Sequence, residues 1–502
     1  MTIVIITDTV IIMSNDIITR AVPDPRAARR RTLALLAVLL AQFMLILDAS
    51  VVNVALPALQ AGFGLRHDEL TWITNAYLIA FGGLLLLFGR LGDLFGRRPI
   101  FMAGLGLFTL ASIACGLAPS ADVLVGARFV QGIGAAAASS VILAIIVTEF
   151  PDDRLRARAM SGYMFVSVAG GSMGLFVGGA LTQLLSWHWI FLINVPIGAL
   201  GLWLAAAVLR DEPAREGERK VDVAGAVLVT AAAMSAIYGL VAAAHQPWTA
   251  NAVRVPLCLA IGLVVMFFWV EASVRNPLLP PRMIRIRSLI VTSVVRGLLA
   301  MGLYGTFFLA SLDMSETLGF GPLRVGLAFL PQTLVVAALS LGVTARLIHR
   351  FGPIRVLIAG LAVAAAGVVV MANLAIDEPY FPVRMFAHVL LGVGFGLSFL
   401  PLLTLAMSEV PGRDAGIGSA IVTLSQQLSA AVDIAILVTI ASSNTHALVT
   451  DGTPLRDAIV LGYRVAYAVA IAGILLGLTL AATLLRPSAA LPEPAPAQWP
   501  RE

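Results

Sequence analysis

From residue 33 almost to the end, this chain repeats apolar runs about 20 residues long, broken by short charged or Gly/Pro-bearing stretches. A run of that length crosses the hydrocarbon of a bilayer as a helix, since lipid offers no partner to a bare peptide group. Spans are expected near 33–57, 70–89, 100–118, 122–149, 160–184 and 189–209, then near 223–245 and 254–272. Six more are expected near 288–312, 323–346, 354–374, 384–408, 416–441 and 460–485, making fourteen. Composition agrees, with 59% hydrophobic and 12% charged residues, against about 25% charged in soluble proteins. The expected class is therefore an all-α integral membrane protein whose first partner is the lipid bilayer. Its net charge of +5 is carried almost wholly by arginine, Lys220 being the sole lysine. These arginines lie in the breaks rather than in one patch, which reads as topology and not as nucleic-acid binding. With the amino terminus inside, about 25 basic residues fall on the cytoplasmic side and about five outside, so both termini are expected to be cytoplasmic.

The breaks divide the chain. Residues 1–31 form an expected cytoplasmic tail without regular structure. Its start, Met1 to Met13, is apolar but has no basic flank and is too short to span, so it does not read as a signal peptide, and Met13 is a candidate start. Residues 32–210 form a six-helix bundle, 211–287 hold linkers and an inserted helix pair, 288–486 form a second six-helix bundle, and 487–502 form an Ala/Pro-rich cytoplasmic tail. A faint repeat supports this 6+2+6 arrangement of two pseudo-symmetric bundles. Arg90-x4-Phe95-Gly96 follows helix two, and Arg346-x4-Phe351-Gly352 follows helix ten, with His349 standing where Asp93 stands in the first copy. Cys115 and Cys258 each lie in an apolar run, and no disulfide or metal site is expected.

Charges inside the spans are the candidate chemistry, because an intramembrane carboxylate costs about 2.5 to 3.5 kcal/mol at a helix centre on insertion scales and marks ion or proton handling. Asp48 is the first of these. Gln42 and Asn53 on the same helix lie about 20° apart around it, with Asp48 well round from both, so more than one face meets something polar. Arg128 and Gln131, one turn apart on helix four, share a face beside Gly132 and Gly134, which allow close packing. Arg128 comes out at a depth similar to that of Asp48, where it would tune the proton affinity of that carboxylate. On helix thirteen Gln426, Ser429 and Asp433 form a polar stripe, with Asp433 a second intramembrane carboxylate serving protons or a cationic substrate, or else a packing hydrogen bond. Arg296 could answer it, but rise counting separates the two by about 14 Å in depth. Asn75, Tyr77, Asn194 and Gln332 read as packing hydrogen bonds, and Arg464 as reaching for the outer interface.

Five stretches together carry a resemblance: Leu47 to Pro57, Trp72 to Tyr77, Gly89 to Pro99, Ala127 to Gly134 and Trp187 to Gly198. In this order they resemble the major facilitator superfamily, in its fourteen-helix branch of drug:proton antiporters. The resemblance implies that the loop bearing Arg90, Asp93 and Arg97 latches the two halves, and that Asp48 and Arg128 couple protons. It further implies a substrate cavity that, with the polar positions above, would be lined by Asp48, Asn53, Gln131, Gln426 and Asp433. Helix five keeps the glycines of the branch, Gly174 and Gly178 among them, but has Leu175 where the branch carries proline. The expected function is proton-coupled export of amphipathic drugs or antibiotics, cations among the candidates, by alternating access, with no cofactor but the proton gradient. The alternative is a transporter of the same fold dedicated to one metabolite, such as a siderophore, amino acid or secreted antibiotic. No nucleophile–base arrangement, metal spacing or phosphate loop points to an enzyme. A monomer in a bacterial cytoplasmic membrane is expected.

Overall fold

The computed structural model describes residues 4–6, 9–11, 25–65, 67–150, 152–210, 222–243, 246–274, 277–375 and 378–485. The expected tail at 487–502 and the linker at 211–221 lie outside them. A short antiparallel pair, β1 (Val4–Ile6) and β2 (Thr9–Ile11), precedes the helices. The first bundle comprises α1 (Pro25–Phe63), α2 (His67–Phe95), α3 (Arg97–Gly116), α4 (Ala121–Glu149), α5 (Asp153–Leu184), the single turn α6 (Trp189–Leu192) and α7 (Asn194–Val208). The inserted pair is α8 (Val223–Ala243) and α9 (Asn251–Glu271), followed by the linker turn α10 (Pro281–Arg285).

Helices of the second bundle are more often broken. Its first crossing is α11 (Arg287–Ala300), a π-helical turn at Met301–Gly305, and α12 (Thr306–Glu316). The second crossing is α13 (Pro322–Ala328), α14 (Leu330–Ala338), a π turn at Leu339–Val343 kinked at Gly342, and α15 (Thr344–Phe351). The remaining four are α16 (Pro353–Ala372), α17 (Met385–Ser408) with a π turn at Tyr380–Arg384 before it, α18 (Ala415–Thr450) and α19 (Leu455–Leu484). Thirteen helices among the described residues are long and apolar enough to cross a membrane. The fourteenth crossing is residues 287–316, whose π turn divides it into shorter helices. There Gly302 and Gly305 bring the backbone against Ile474 and Leu437, which a Cβ would strike.

The expected tail ends earlier than residue 31, since α1 begins at Pro25. A proline suits the first turn, where its missing N–H costs nothing. The added turns are tied down by Arg30, which grips Glu149 with two hydrogen bonds of 3.0 and 2.7 Å and also donates to the Val208 carbonyl. Within the first bundle α1 packs on α5 and α7, and α4 lies between α2 and α3. A Cβ at Gly132 would meet the Tyr77 carbonyl at 2.5 Å, and one at Gly134 the Phe108 nitrogen at 2.5 Å, so both neighbours sit on bare backbone. The glycines of α5 serve α1 in the same way: a Cβ at Gly174 would meet the Leu47 carbonyl at 2.9 Å, and one at Gly178 the Val51 carbonyl at 3.0 Å. Without a proline, α5 is one unbroken helix of 32 residues. The bundles meet where α18 packs against α2 and α4, and where α14 and α17 pack against α5. The inserted α8 lies along both α2 and α18, while α9 turns Leu259, Val265, Phe268 and Trp269 outward as lipid-facing surface.

Candidate functional site

Asp48 is wholly buried in the first bundle, and each of its oxygens is met by a donor from another helix. Arg128 Nη1 donates to Oδ2 at 2.6 Å; Gln131 Nε2 and Asn194 Nδ2 donate to Oδ1 at 3.0 and 2.8 Å. The network continues outward. Arg128 also donates to Gln131 Oε1 at 2.6 Å and, through Nε, to the Ile73 carbonyl at 3.2 Å, while Gln131 donates to Ser112 Oγ at 2.8 Å. The guanidinium carbon stands 4.3 Å from the centroid of the Tyr77 ring. Arg128 therefore does not reach for the interface, and Asp48 and Gln131, expected on a cavity wall, are closed inside the bundle. A charge pair in such surroundings persists only because its remaining donors and acceptors are met. Removing one partner from a buried pair strands the other at about 3 to 5 kcal/mol, which makes the site responsive to any motion that draws α1 from α4.

Asn194, read from the sequence only as a packing hydrogen bond, is a member of this network, and Ser112 is one that the sequence did not single out. The signal was faint: Asn194 is an amide within the apolar Trp187 to Gly198 stretch, and the α6 turn is what swings it onto α1. Gln42 is separate from this network and donates to Ser167 Oγ on α5 at 3.0 Å. The side chain of Asn53 lies outside the described residues, as does that of Leu175.

A second constellation joins the bundles at the end of α2. The Asp93 carboxylate accepts from the backbone nitrogens of Gly416 and Ile417, at 2.8 and 2.9 Å. These lie in the first turn of α18, whose N–H groups have no partner within the helix and carry its positive dipole end. Asp93 thus caps a helix of the opposite half. Arg97 reinforces it, 3.5 Å from Asp93 Oδ1 and donating to the Gly412 carbonyl at 2.5 Å, with Arg90 buried nearby. Close approach requires glycine on both sides: a Cβ at Gly89 would lie 2.8 Å from the Gly416 carbonyl, and one at Gly416 would lie 2.6 Å from Asp93 Oδ1. The residue that would ordinarily cap α18, Asp414, makes no capping bond and is held instead by Arg282, through Nε and Nη2 at 3.0 Å each. Neither Arg282 nor Asp414 was legible as part of this contact between the bundles.

The polar stripe of α18 lies in the second half, apart from the Asp48 network. Asp433 is 4% exposed and its Oδ2 has no hydrogen-bond partner among the described residues. Ser429 lies against Gly297 of α11, and Gln426 is half-buried one turn before it. Arg296 stands over the Phe399 ring. Arg464, expected at the interface, donates to the Leu374 carbonyl at 2.6 Å, and Gln332 pairs with His388 at 3.0 Å. Among the described residues no group of His, Cys, Asp and Glu is placed to hold a metal.

Residues 38–432 match the family model of the Major Facilitator Superfamily. The chain belongs to that superfamily. It is 36% identical to the puromycin resistance protein pur8 of Streptomyces alboniger over 92% of both chains. It is also 36% identical to the cephamycin export protein CmcT of Amycolatopsis lactamdurans, over 82% of this chain and 86% of the relative. The multidrug resistance protein Stp of Mycobacterium tuberculosis is 32% identical, over 82% of this chain and 75% of Stp. The fold is shared with a crystal structure of the human organic anion transporter MFSD10 (TETRAN), at TM-score 0.65 and 16% identity, covering 90% of this chain and 99% of that one. As a superfamily member it is a multi-pass membrane transporter of small molecules, and the superfamily is one of transporters rather than enzymes.

Proposed function

We propose that the chain is a proton-coupled exporter of amphipathic drugs or antibiotics, cations among them, working by alternating access. The observation that carries this is the pairing of a buried carboxylate–guanidinium network inside one bundle with a carboxylate latch between the bundles. Relatives named for puromycin resistance, cephamycin export and multidrug resistance supply the cargo class. Asp48 binds the proton when Arg128 and Gln131 draw away, and releases it when they close. Arg90, Asp93 and Arg97 hold the cytoplasmic end shut, and Asp433 serves a cationic cargo or a further proton. Gln426 lies two turns before Asp433 on the same stripe. Both termini are cytoplasmic, the membrane is the bacterial cytoplasmic membrane, and the transporter acts as a monomer that draws on the proton gradient and on no bound cofactor. One proton moving down 100 mV supplies about 2.3 kcal/mol before any pH gradient is counted.

The name of the cephamycin export protein favours a second reading, dedication to one secreted antibiotic. Everted vesicles carrying a pH gradient test both. Ethidium and puromycin, added in turn, dissipate the gradient in the wild type and not in Asp48→Asn. A response to a single compound selects the dedicated reading, and a response that survives in Asp48→Asn moves the proton elsewhere.

A further inference from the structure

The second bundle holds a buried ion pair that the latch and the Asp48 network do not use. Arg384 Nη1 donates to Asp313 Oδ2, and Thr317 Oγ1 shares its one proton between the backbone carbonyl of Asp313 at 2.6 Å and Asp313 Oδ1 at 2.9 Å. Arg384 Nε donates to the Glu378 carbonyl at 3.1 Å. One turn further along α17, His388 shares a hydrogen bond of 3.0 Å with Gln332 of α14 and lies edge-on to Phe329. Asp313 is 6% exposed and Arg384 2%.

The register of the repeat shows what this pair corresponds to. Arg128 follows Asp93 by 35 residues, and Arg384 follows His349, the residue in the place of Asp93, by the same 35. In each half the acid lies on the first crossing and the arginine on the fourth, with a polar side chain one turn beyond the arginine, Gln131 or His388. We infer that Asp313 and Arg384 form a second proton site, the counterpart in the second bundle of Asp48 and Arg128. This deepens the reading above, and rests on it for the use of the proton but not for its binding.

The two sites differ in how the carboxylate is held. Asp48 has three side-chain donors from other helices, so it keeps Asn194 of α7 when Arg128 and Gln131 of α4 withdraw. Asp313 has Arg384 and a share of the Thr317 hydroxyl, which stands at the end of its own helix. When Arg384 draws off, a proton from the outer water bonds to a carboxylate oxygen of Asp313, and Arg384 keeps its own proton. When the pair re-forms that O–H bond breaks, and the proton leaves to the inner water. Other groups facing the pair are Tyr467 of α19, close enough to feel both charges and with its buried hydroxyl unpartnered among the described residues, and Tyr463 beside it. Arg456, also of α19, donates to the Thr317 carbonyl at 3.1 Å.

Infrared difference spectra of the full chain in nanodiscs, recorded on acidification alone, decide whether Asp313 takes a proton. A carboxyl C=O band that persists in Asp48→Asn and is lost in Asp313→Asn is expected. The double variant Asp313→Asn/Arg384→Gln leaves no unpaired guanidinium, and it serves if the single variant does not insert. Spectra that Asp313 substitution leaves unchanged overturn the site. Coupling is read in vesicles with one pH unit across them and the potential clamped at zero, from the ethidium gradient at which net flux vanishes. Two protons balance about 100-fold and one about tenfold, so the wild type is expected near the first and Asp313→Asn near the second. A wild type near tenfold overturns the coupling of Asp313. No gradient-driven ethidium movement in the wild type overturns the export reading together with that coupling, and the infrared result still decides the proton site.

Discussion

The fifth crossings of the two halves, α5 and α18, start in the same way and are finished differently. α5 is capped by its own preceding residue, Asp152, whose carboxylate accepts from Leu155 N at 2.9 Å. α18 is preceded by an aspartate too, but Arg282 holds Asp414, and the first turn of α18 is left for Asp93 of the other half. The turns after the second crossing of each half are alike in backbone, each closing on a glycine of positive φ, Gly96 at 100° and Gly352 at 83°. They are unlike in chemistry, for Asp93 is buried on its partner helix while His349 is exposed. Pseudo-symmetry therefore supplies two equivalent places for the proposed latch, and among the described residues side-chain choice builds one. A one-sided latch can release without a second contact having to break in step.

Removing the charge of Asp93 breaks the comparison most directly. Asp93→Asn loses two charge-assisted bonds to N–H groups and regains at most one neutral bond, a loss of about 3 kcal/mol and about 100-fold in the closed-to-open ratio of that end. The check is a spin-label distance between Phe95→Cys and Glu409→Cys, in a background where the exposed Cys258 is replaced by serine. The distance distribution should shift to longer values, with the range of cargoes unchanged. Gly416→Ala comes next. Its methyl would stand 2.6 Å from Asp93 Oδ1 and against the Gly89 carbonyl, and overpacking of this kind costs about 2 kcal/mol, about 30-fold in the same ratio. The same labels should report it, and Gly89→Ala should agree in direction.

Much of this could be read from the chain. Asp48, Arg128 and Asp93 stand out because a charge within or at the edge of an apolar run is costly, and the Gly89 to Pro99 turn marks the latch loop. Asp313 and Arg384 escaped notice because the expected spans, 288–312 and 384–408, put them at helix ends, where charges are ordinary. The true crossing runs on to Glu316, and a π turn at 380–384 starts the next before the expected boundary, so both residues are inside. The partners of Asn194 and Arg282 could not be found by local pattern, since they lie 146 and 132 residues away. The role of the inserted pair was equally hidden: α8 lies on α2 and α18, the helices that the latch joins.

Arg282→Gln sharpens the comparison at lower cost. It removes the bidentate Arg282 contact that holds Asp414 aside, letting Asp414 compete with Asp93 for the N–H groups of α18 in the way that Asp152 caps α5. A cap is worth about 1 kcal/mol, so the closed end should weaken about fivefold, and Asp414→Ala added to Arg282→Gln should restore it by removing the competitor. A double variant that stays as open as Arg282→Gln would show that Arg282 acts by some route other than Asp414.

The smallest effect on the gate should come from Asp152→Ala, the same chemistry at a helix end capped by its own preceding residue. Losing this cap should cost α5 about 1 kcal/mol, read as a lower thermal midpoint of the purified protein, while the distance between residues 95 and 409 stays where it was. The contrast isolates cause, because both helices lose comparable N–H partners in Asp152→Ala and Asp93→Asn, and the latter alone breaks a bond between halves. An Asp152→Ala variant that opens the gate as far as Asp93→Asn would mean that general loosening of a helix start, and not the trans cap, is what the closed end depends on.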